Sequence, residues 1–167
     1  MCVLGIDSGF AATGYGVVER VGSKLVPVAM GVVRTTVNAP HPDRLVEIQE
    51  AIGSVIAEQR PDAAAVERVF FSTNVRTAMA VSQASGVAIA TAAAAGLQVV
   101  EYTPTEVKAS VVGVGTATKH QVQSMVAALL GLSKPPSPPD VADACALSIC
   151  HLNRAGLSRA LRKAEAR

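Results

Sequence analysis

The first 35 residues place the tightest constraint on the fold. "CVLGID" (2–7), "GYGVVER" (14–20) and "KLVPVAMGVVRT" (24–35) are three apolar, strand-forming runs. "ATG" and "VGSK" punctuate them and read as tight turns. Parallel neighbours need a crossover of a dozen or more residues. The gaps here are too short for one, so the three runs form an antiparallel meander.

Beyond the meander the period changes. Leu45, Ile48, Ile52, Val55 and Ile56 recur at helical spacing within "PHPDRLVEIQEAIGSVIAEQR", and Pro61 ends that helix. "AAAVERV" is a short buried strand. Residues 74–95 form a helix rich in small residues, and "LQVVEY" is a fifth strand. In "TPTEVKASVVG" Thr103 is the N-cap, Pro104 the first helical residue, and Glu106 completes a capping box. "TKHQVQSMVAALLGL" is a further helix, "KPPSPP" a stiff turn, and "DVADACALSICHL" a last helix. A meander followed by crossover helices predicts an α/β fold, a mixed five-stranded sheet with helices on both faces.

The 167 residues fit one domain, and half are apolar, enough for a full core. No run approaches the ~20 apolar residues of a membrane span. "VAIATAAAAGLQVV" is shorter and Gly96 interrupts it. With no basic leader, the chain is expected to be soluble and cytoplasmic. Cys2, Cys145 and Cys150 make an odd count without zinc spacing, which fits a reducing compartment. His151 beside Cys150 invites a metal reading, which is set aside because small apolar cysteines in a buried helix are common. The net charge of +2 is uneven. Residues 153–167 hold five Lys/Arg against one Glu, or +4, which leaves −2 for the rest. That tail reads as a solvated helix or as an electrostatic arm for nucleic acid.

Four acids occupy unusual places. Asp7 ends the first strand, Glu67 ends an otherwise apolar one, and Asp140 and Asp143 open the last helix. Asp before Ser-Gly is also a turn former, and Ser137-x-x-Asp140 resembles a capping box. Asp143 is harder to dismiss, because apolar residues follow it and acids on a buried helix need partners. A spacing of three puts Asp140 and Asp143 on one helix face. If strands one and four are neighbours, Asp7 and Glu67 join them at one end of the sheet. Four such carboxylates repel one another, and a divalent cation resolves the conflict. Oxygen ligands without His or Cys suit Mg²⁺ or Mn²⁺.

"GIDSGFAATGYGVV", "VERVFFSTN", "VKASVVGVGTATKHQVQSMV" and "PPDVADACALSICH" resemble the RuvC family of Holliday-junction resolvases. The resemblance runs from about residue 3 to 152. It implies a ribonuclease-H-like nuclease domain over 1–152, with the basic C-terminal tail 153–167 outside it. It implies a homodimer that resolves four-way junction DNA in recombination and repair. Paired nicks in strands of like polarity would leave 5′-phosphate and 3′-hydroxyl ends. The family's catalytic, metal-binding acids match Asp7, Glu67, Asp140 and Asp143, and two Mg²⁺ ions per active site are implied, with Mn²⁺ as a substitute. Its DNA-binding residues match Phe70, Lys108 and Lys119, and RuvA and RuvB are its implied branch-migration partners. Ser8 stands where the family usually has Pro, and Cys145 where an aliphatic is usual.

Read without the family, Lys108 and Lys119 are ordinary solvated lysines around a Gly113-x-Gly115 loop whose amides can approach phosphate. Phe70 and Phe71 are core residues, or aromatics at the rim that stack on a base. Ala78, Ser82, Ser85, Gly86 and Ala93 form a small face for packing on the sheet or for a dimer contact, and a two-fold junction favours the dimer. Two rivals share the opening Asp. They are a RuvX-like nuclease of the same fold acting on RNA, and a non-catalytic junction-binding module. An actin-like ATPase would need a second lobe that 167 residues do not supply.

Overall fold

The computed structural model describes residues 1–69 and 75–165, with side chains described as far as residue 157. Its elements are β1 (Cys2–Asp7), β2 (Ala12–Val21), β3 (Lys24–Arg34), α1 (His41–Gln59), β4 (Ala63–Glu67), α2 (Val75–Ala94), β5 (Gln98–Tyr102), α3 (Pro104–Val112), α4 (Lys119–Leu129) and α5 (Pro139–Glu165). The sheet order is β3-β2-β1-β4-β5. The first three strands pair antiparallel, and β4 joins β1, and β5 joins β4, in parallel. The meander and the mixed sheet are as the sequence predicts.

Strand alternation sorts the sheet into two faces. Leu4, Ile6, Ala64 and Val66 point towards α1 and α2, where they meet Ile48, Ile52, Ala84 and Ala88. Val3 and Ala65 point the other way, into a core with Tyr102 of β5 and with Val107, Val126 and Ile149 from α3, α4 and α5. Helices therefore cover both faces.

The approach of α5 to the sheet is unusually close. A Cβ built on Gly5 of β1 would collide with the carbonyl oxygen of Ala144, and one on Gly14 of β2 with that of Asp140. Both obstacles are backbone atoms that cannot swing aside. The Ser148 hydroxyl donates to the Gly16 carbonyl at 2.7 Å, fully buried, and fixes the helix lengthwise.

Three details differ from the sequence reading. "ATG" (12–14) belongs to β2, so the first turn lies earlier, over residues 8–11. Helix α5 does not stop at Leu152 but runs to Glu165. The reason lies in its next turn: Asn153 accepts from Arg20 Nη2 at 2.7 Å, and Arg154 pairs with Glu106 at 2.9 Å. Alanine, leucine and arginine carry the helix onward. Finally, α2 is by length and composition apolar enough to cross a membrane. The sequence reading placed this helix at 74–95 but weighed only the shorter run from Val87 as a membrane span. One face of α2, Ala84, Ala88 and Ala92, packs in the core with the sheet and α1.

His151 is a core residue. Its Nδ1 lies 2.9 Å from the buried Tyr102 hydroxyl. Burial holds the imidazole below its ordinary pKa and lifts the phenol to about 12. All three cysteines are free.

The close contact gives a test. Gly14→Ala should lower the melting temperature, with overpacking costing about 1–3 kcal/mol. Gly156→Ala, on exposed α5 with open space around the added methyl, should raise stability by up to about 1 kcal/mol. Thermal denaturation of both variants checks this, and equal shifts would refute the backbone contact.

Candidate active site

Parity and register bring the first two acids together. Ile6 is level with Val66 in the parallel ladder, so Asp7 and Glu67 follow as neighbours at the carboxyl ends of β1 and β4. Val3, Gly5 and Ala65 face α5, and Asp7 and Glu67 keep that parity. Asp7 is also paired with Gly14, the glycine on which the Asp140 backbone rests. Asp140 therefore stands over the strand position beside Asp7, in the first turn of α5, with Asp143 one turn on.

A cavity of 370 Å³ is lined by Asp7, Glu67, Asp140 and Asp143 together with Lys108 and Lys119. Six of the seven residues picked out in the sequence thus share one cavity. The seventh, Phe70, lies outside the described residues. Lys108 comes from α3, whose Thr103–Glu106 capping box is formed as expected. Lys119 opens α4 behind a second capping box, Thr118 with Gln121, which the sequence reading did not use. A cation at a helix N-terminus opposes the helix dipole. Here the opposition is offset by Asp143, whose Oδ2 lies 2.7 Å from Lys119 Nζ. A lysine in that unfavourable position is the signal that marks Lys119 in the sequence.

The electrostatics follow from crowding. Burial, then the carboxylates of Glu67, Asp143 and Asp140, push Asp7 up to about 7. Glu67 is raised as well, by burial and by Asp143, with Lys119 and Lys108 opposing. The hydrogen bond to Asp143 raises Lys119. Among the described residues no three acids, histidines or cysteines are gathered into a closed ligand set. Like charges with one lysine between them line the cavity instead of converging.

Beyond Glu67 lies a smaller cavity of 230 Å³, lined by Ser8, Arg68 and Val81. The Ser8 hydroxyl is buried there without a hydrogen-bond partner among the described residues. The sequence reading noted Ser8 only as a departure from the family and gave Arg68 no part.

A family model described as crossover junction endodeoxyribonuclease RuvC matches residues 3–151. The Salinispora arenicola crossover junction endodeoxyribonuclease RuvC is 52% identical over 157 residues, covering 93% of this chain and 90% of that protein. Its counterpart from Desulfitobacterium hafniense is 47% identical over 157 residues, covering 94% and 95%. The structure of Thermus thermophilus RuvC in complex with a Holliday junction substrate is similar at 36% identity and a TM-score of 0.90, over 95% of this chain and 96% of that one. A yeast mitochondrial Holliday junction resolvase, at 14% identity and a TM-score of 0.64, shares the fold. The architecture is accordingly the ribonuclease-H-like one, and the chain belongs to the RuvC family of crossover junction endodeoxyribonucleases, the enzymes that resolve Holliday junctions.

Proposed function

We propose that the acid-lined cavity is the cleavage centre, with Asp7, Glu67, Asp140 and Asp143 holding two Mg²⁺ ions, or Mn²⁺ in their place. The observation that carries this reading is the in-register pair Asp7–Glu67 beneath the first turn of α5. The donor set fits such ions. It is all carboxylate, hard oxygen suits Mg²⁺, and the cavity has more negative charge than its lysines offset. When bound, the cations supply charge neutralisation at the scissile phosphate and activation of the attacking water.

The chain's own residues do the rest. Asp7, central and most perturbed, holds a proton near neutral pH and gives it up as positive charge arrives. Lys119 keeps Asp143 in place through a pair that is easily opened, since the two side chains are 60% and 29% exposed. Its ammonium and that of Lys108 then face the phosphate backbone. Phe70 is carried over from the family pattern as the aromatic that meets bases near the crossover. The enzyme acts on four-way junction DNA as a homodimer, because symmetric nicks need two centres. Of the small residues noted in the sequence, Ala78 and Ser85 are buried, whereas Ser82, Gly86 and Ala93 are exposed and line up with Val75, Met79 and Ala90 as an outward stripe of α2. RuvA and RuvB are the branch-migration partners that family membership implies.

Three outcomes follow. Asp7 sits above its ordinary 3.8, so the folded state keeps a proton that the unfolded state has lost. Without divalent ions, stability should therefore fall as pH rises from about 4 to about 7, by at most about 4 kcal/mol, and level off above. Asp7→Asn should flatten that slope and abolish the rise in melting temperature that Mg²⁺ gives at neutral pH. Denaturation across pH, with EDTA or Mg²⁺, measures both effects. A slope unaltered by the substitution would remove Asp7 from the cluster.

Asp143→Asn should lose cleavage by more than a hundredfold while keeping junction binding, with melting altered by no more than about 1 kcal/mol. Substantial cutting by this variant, or by the wild type in excess EDTA, contradicts the proposed centre. The same assay run on four-way junction, matched duplex and RNA separates a resolvase from an RNA nuclease or a non-catalytic module. For the dimer, sedimentation of Ala90→Asp should show a monomer where the wild type shows a dimer. An unchanged sedimentation coefficient would clear the α2 stripe of that role.

A further inference from the structure

On the α1/α2 side of the sheet, across the first turn from the acids, lies a groove of 810 Å³. Its walls are the turn after β1, the start of α1 and the first half of α2. No Asp or Glu lines it, whereas Arg44, Arg76 and His41 do. The arrangement at its centre is layered. Phe10 stacks on His41 at 4.3 Å between ring centroids, and the Arg44 guanidinium lies 4.1 Å over the Phe10 ring. Arg44 Nε donates to the buried Thr35 hydroxyl at 2.8 Å, and His41 Nε2 lies 2.8 Å from Gln83 Oε1. These partners are all neutral. Glu47, the acid that feels Arg44, has its carboxylate on the Thr36 amide at 2.7 Å and stays out of the groove.

Arg76 is exposed and makes no ion pair among the described residues. The stretch 70–74, which it follows, contains no acid. The groove is also continuous with the cleavage centre by neighbours. Glu67 is shared between the acid-lined cavity and the small cavity of Ser8 and Arg68, and Val81 between that cavity and the groove. A line of arginines thus runs away from the acids: Arg68, then Arg76 and Arg44.

Cations held in place by neutral partners keep their charge for an outside ligand. Spaced guanidinium groups suit successive phosphates. We propose that this groove is a second DNA-backbone subsite, which grips the strand leaving the cleavage centre along one arm of the junction. The inference rests on reading the acid cavity as that centre. It commits to DNA over a second copy of the chain, because the groove is cationic and free of acids, so two copies facing each other through it would repel; of the outward stripe of α2 only Met79 lines the groove.

The test measures junction affinity against salt, with each substitution placed in an Asp143→Asn background to prevent cutting. Arg76→Ala should lower the slope of log K against log[salt] by about one, and Arg76→Glu should weaken binding further. Arg44→Gln, which keeps a donor for Thr35, should lower the slope by about one as well. Phosphate-ethylation interference should lose a contact on the strand flanking the nick in each variant. Unchanged slopes for both Arg76 variants overturn the subsite even if Arg44→Gln fails to fold. Weaker binding that sedimentation traces to a dissociated dimer also overturns it and assigns the groove to a subunit contact. Failure of the cleavage centre itself appears separately, as wild-type cutting that Asp143→Asn does not reduce.

Discussion

Helix α5 lies on β1 and β2 at backbone contact, and the meeting of Asp140 and Asp143 with the strand acids Asp7 and Glu67 depends on that contact. The glycines at 5 and 14 remove the side chains that would hold the helix off. What replaces them is carbonyl oxygen against Cα, a spacing ordinary helix-on-sheet packing does not reach. The Ser148 bond to Gly16 sets the helix along its axis, and the Arg20–Asn153 bond holds it further on. Rotation is set as firmly as translation. A slip of one residue turns an α-helix by about 100°, which would carry Asp143 out of the cavity. The same β1–β2 ladder that ends in Asp7 is therefore the bed that aims Asp140 and Asp143.

This fixed bed has an electrostatic consequence. Carboxylates on mobile loops could separate, but those on β1, β4 and α5 cannot move apart without breaking the core. The molecule answers in two ways. Asp7, the most enclosed, retains its proton into the neutral range. Lys119 supplies an internal counter-charge to Asp143 from the start of α4. A fully buried ion pair there would be costly to open. One that is more than half exposed on the lysine side opens at little cost, so the site is held together without being locked. The strain of like charges is stored where a cation can relieve it, which couples ion binding to stability as well as to chemistry.

Much of this was legible in the sequence, for identifiable reasons. The meander follows from loop lengths alone. The meeting of Asp7 and Glu67 follows once β1 and β4 are neighbours, because both acids keep the parity of the residues that face α5. The tail past Leu152 read as a solvated helix or an arm, and it continues α5; what no local pattern reveals is the pair of tertiary contacts, from Arg20 and Glu106, that anchor its first turn. The two faces of α2 were hidden for another reason. Ala78 and Ser85 look no different from Gly86 and Ala93 in composition, and only packing against α1 separates them. Ser8 was visible as a departure, but its burial without a partner belongs to three dimensions.

The charge layout also answers a question that the four acids raise. A junction is a polyanion, and a cleavage centre built of carboxylates repels it until cations arrive. Affinity must then come from groups outside the acid cluster, close enough to act before screening by salt removes them, within about 8–10 Å at physiological ionic strength. Lys108 and Lys119 line the cavity on the α3/α4 side, where such groups are needed. On the opposite side, across the β1–β2 turn, the arginines among the described residues that line the cavities are Arg68, Arg76 and Arg44. A strand drawn across the acids from one flank alone would be free to pivot on the other. With cations on both flanks, a strand crossing the cavity would meet two attractive surfaces with a repulsive centre between them. The net charge of the chain, only +2, conceals this arrangement because the acids and the cations that flank them nearly cancel in the sum.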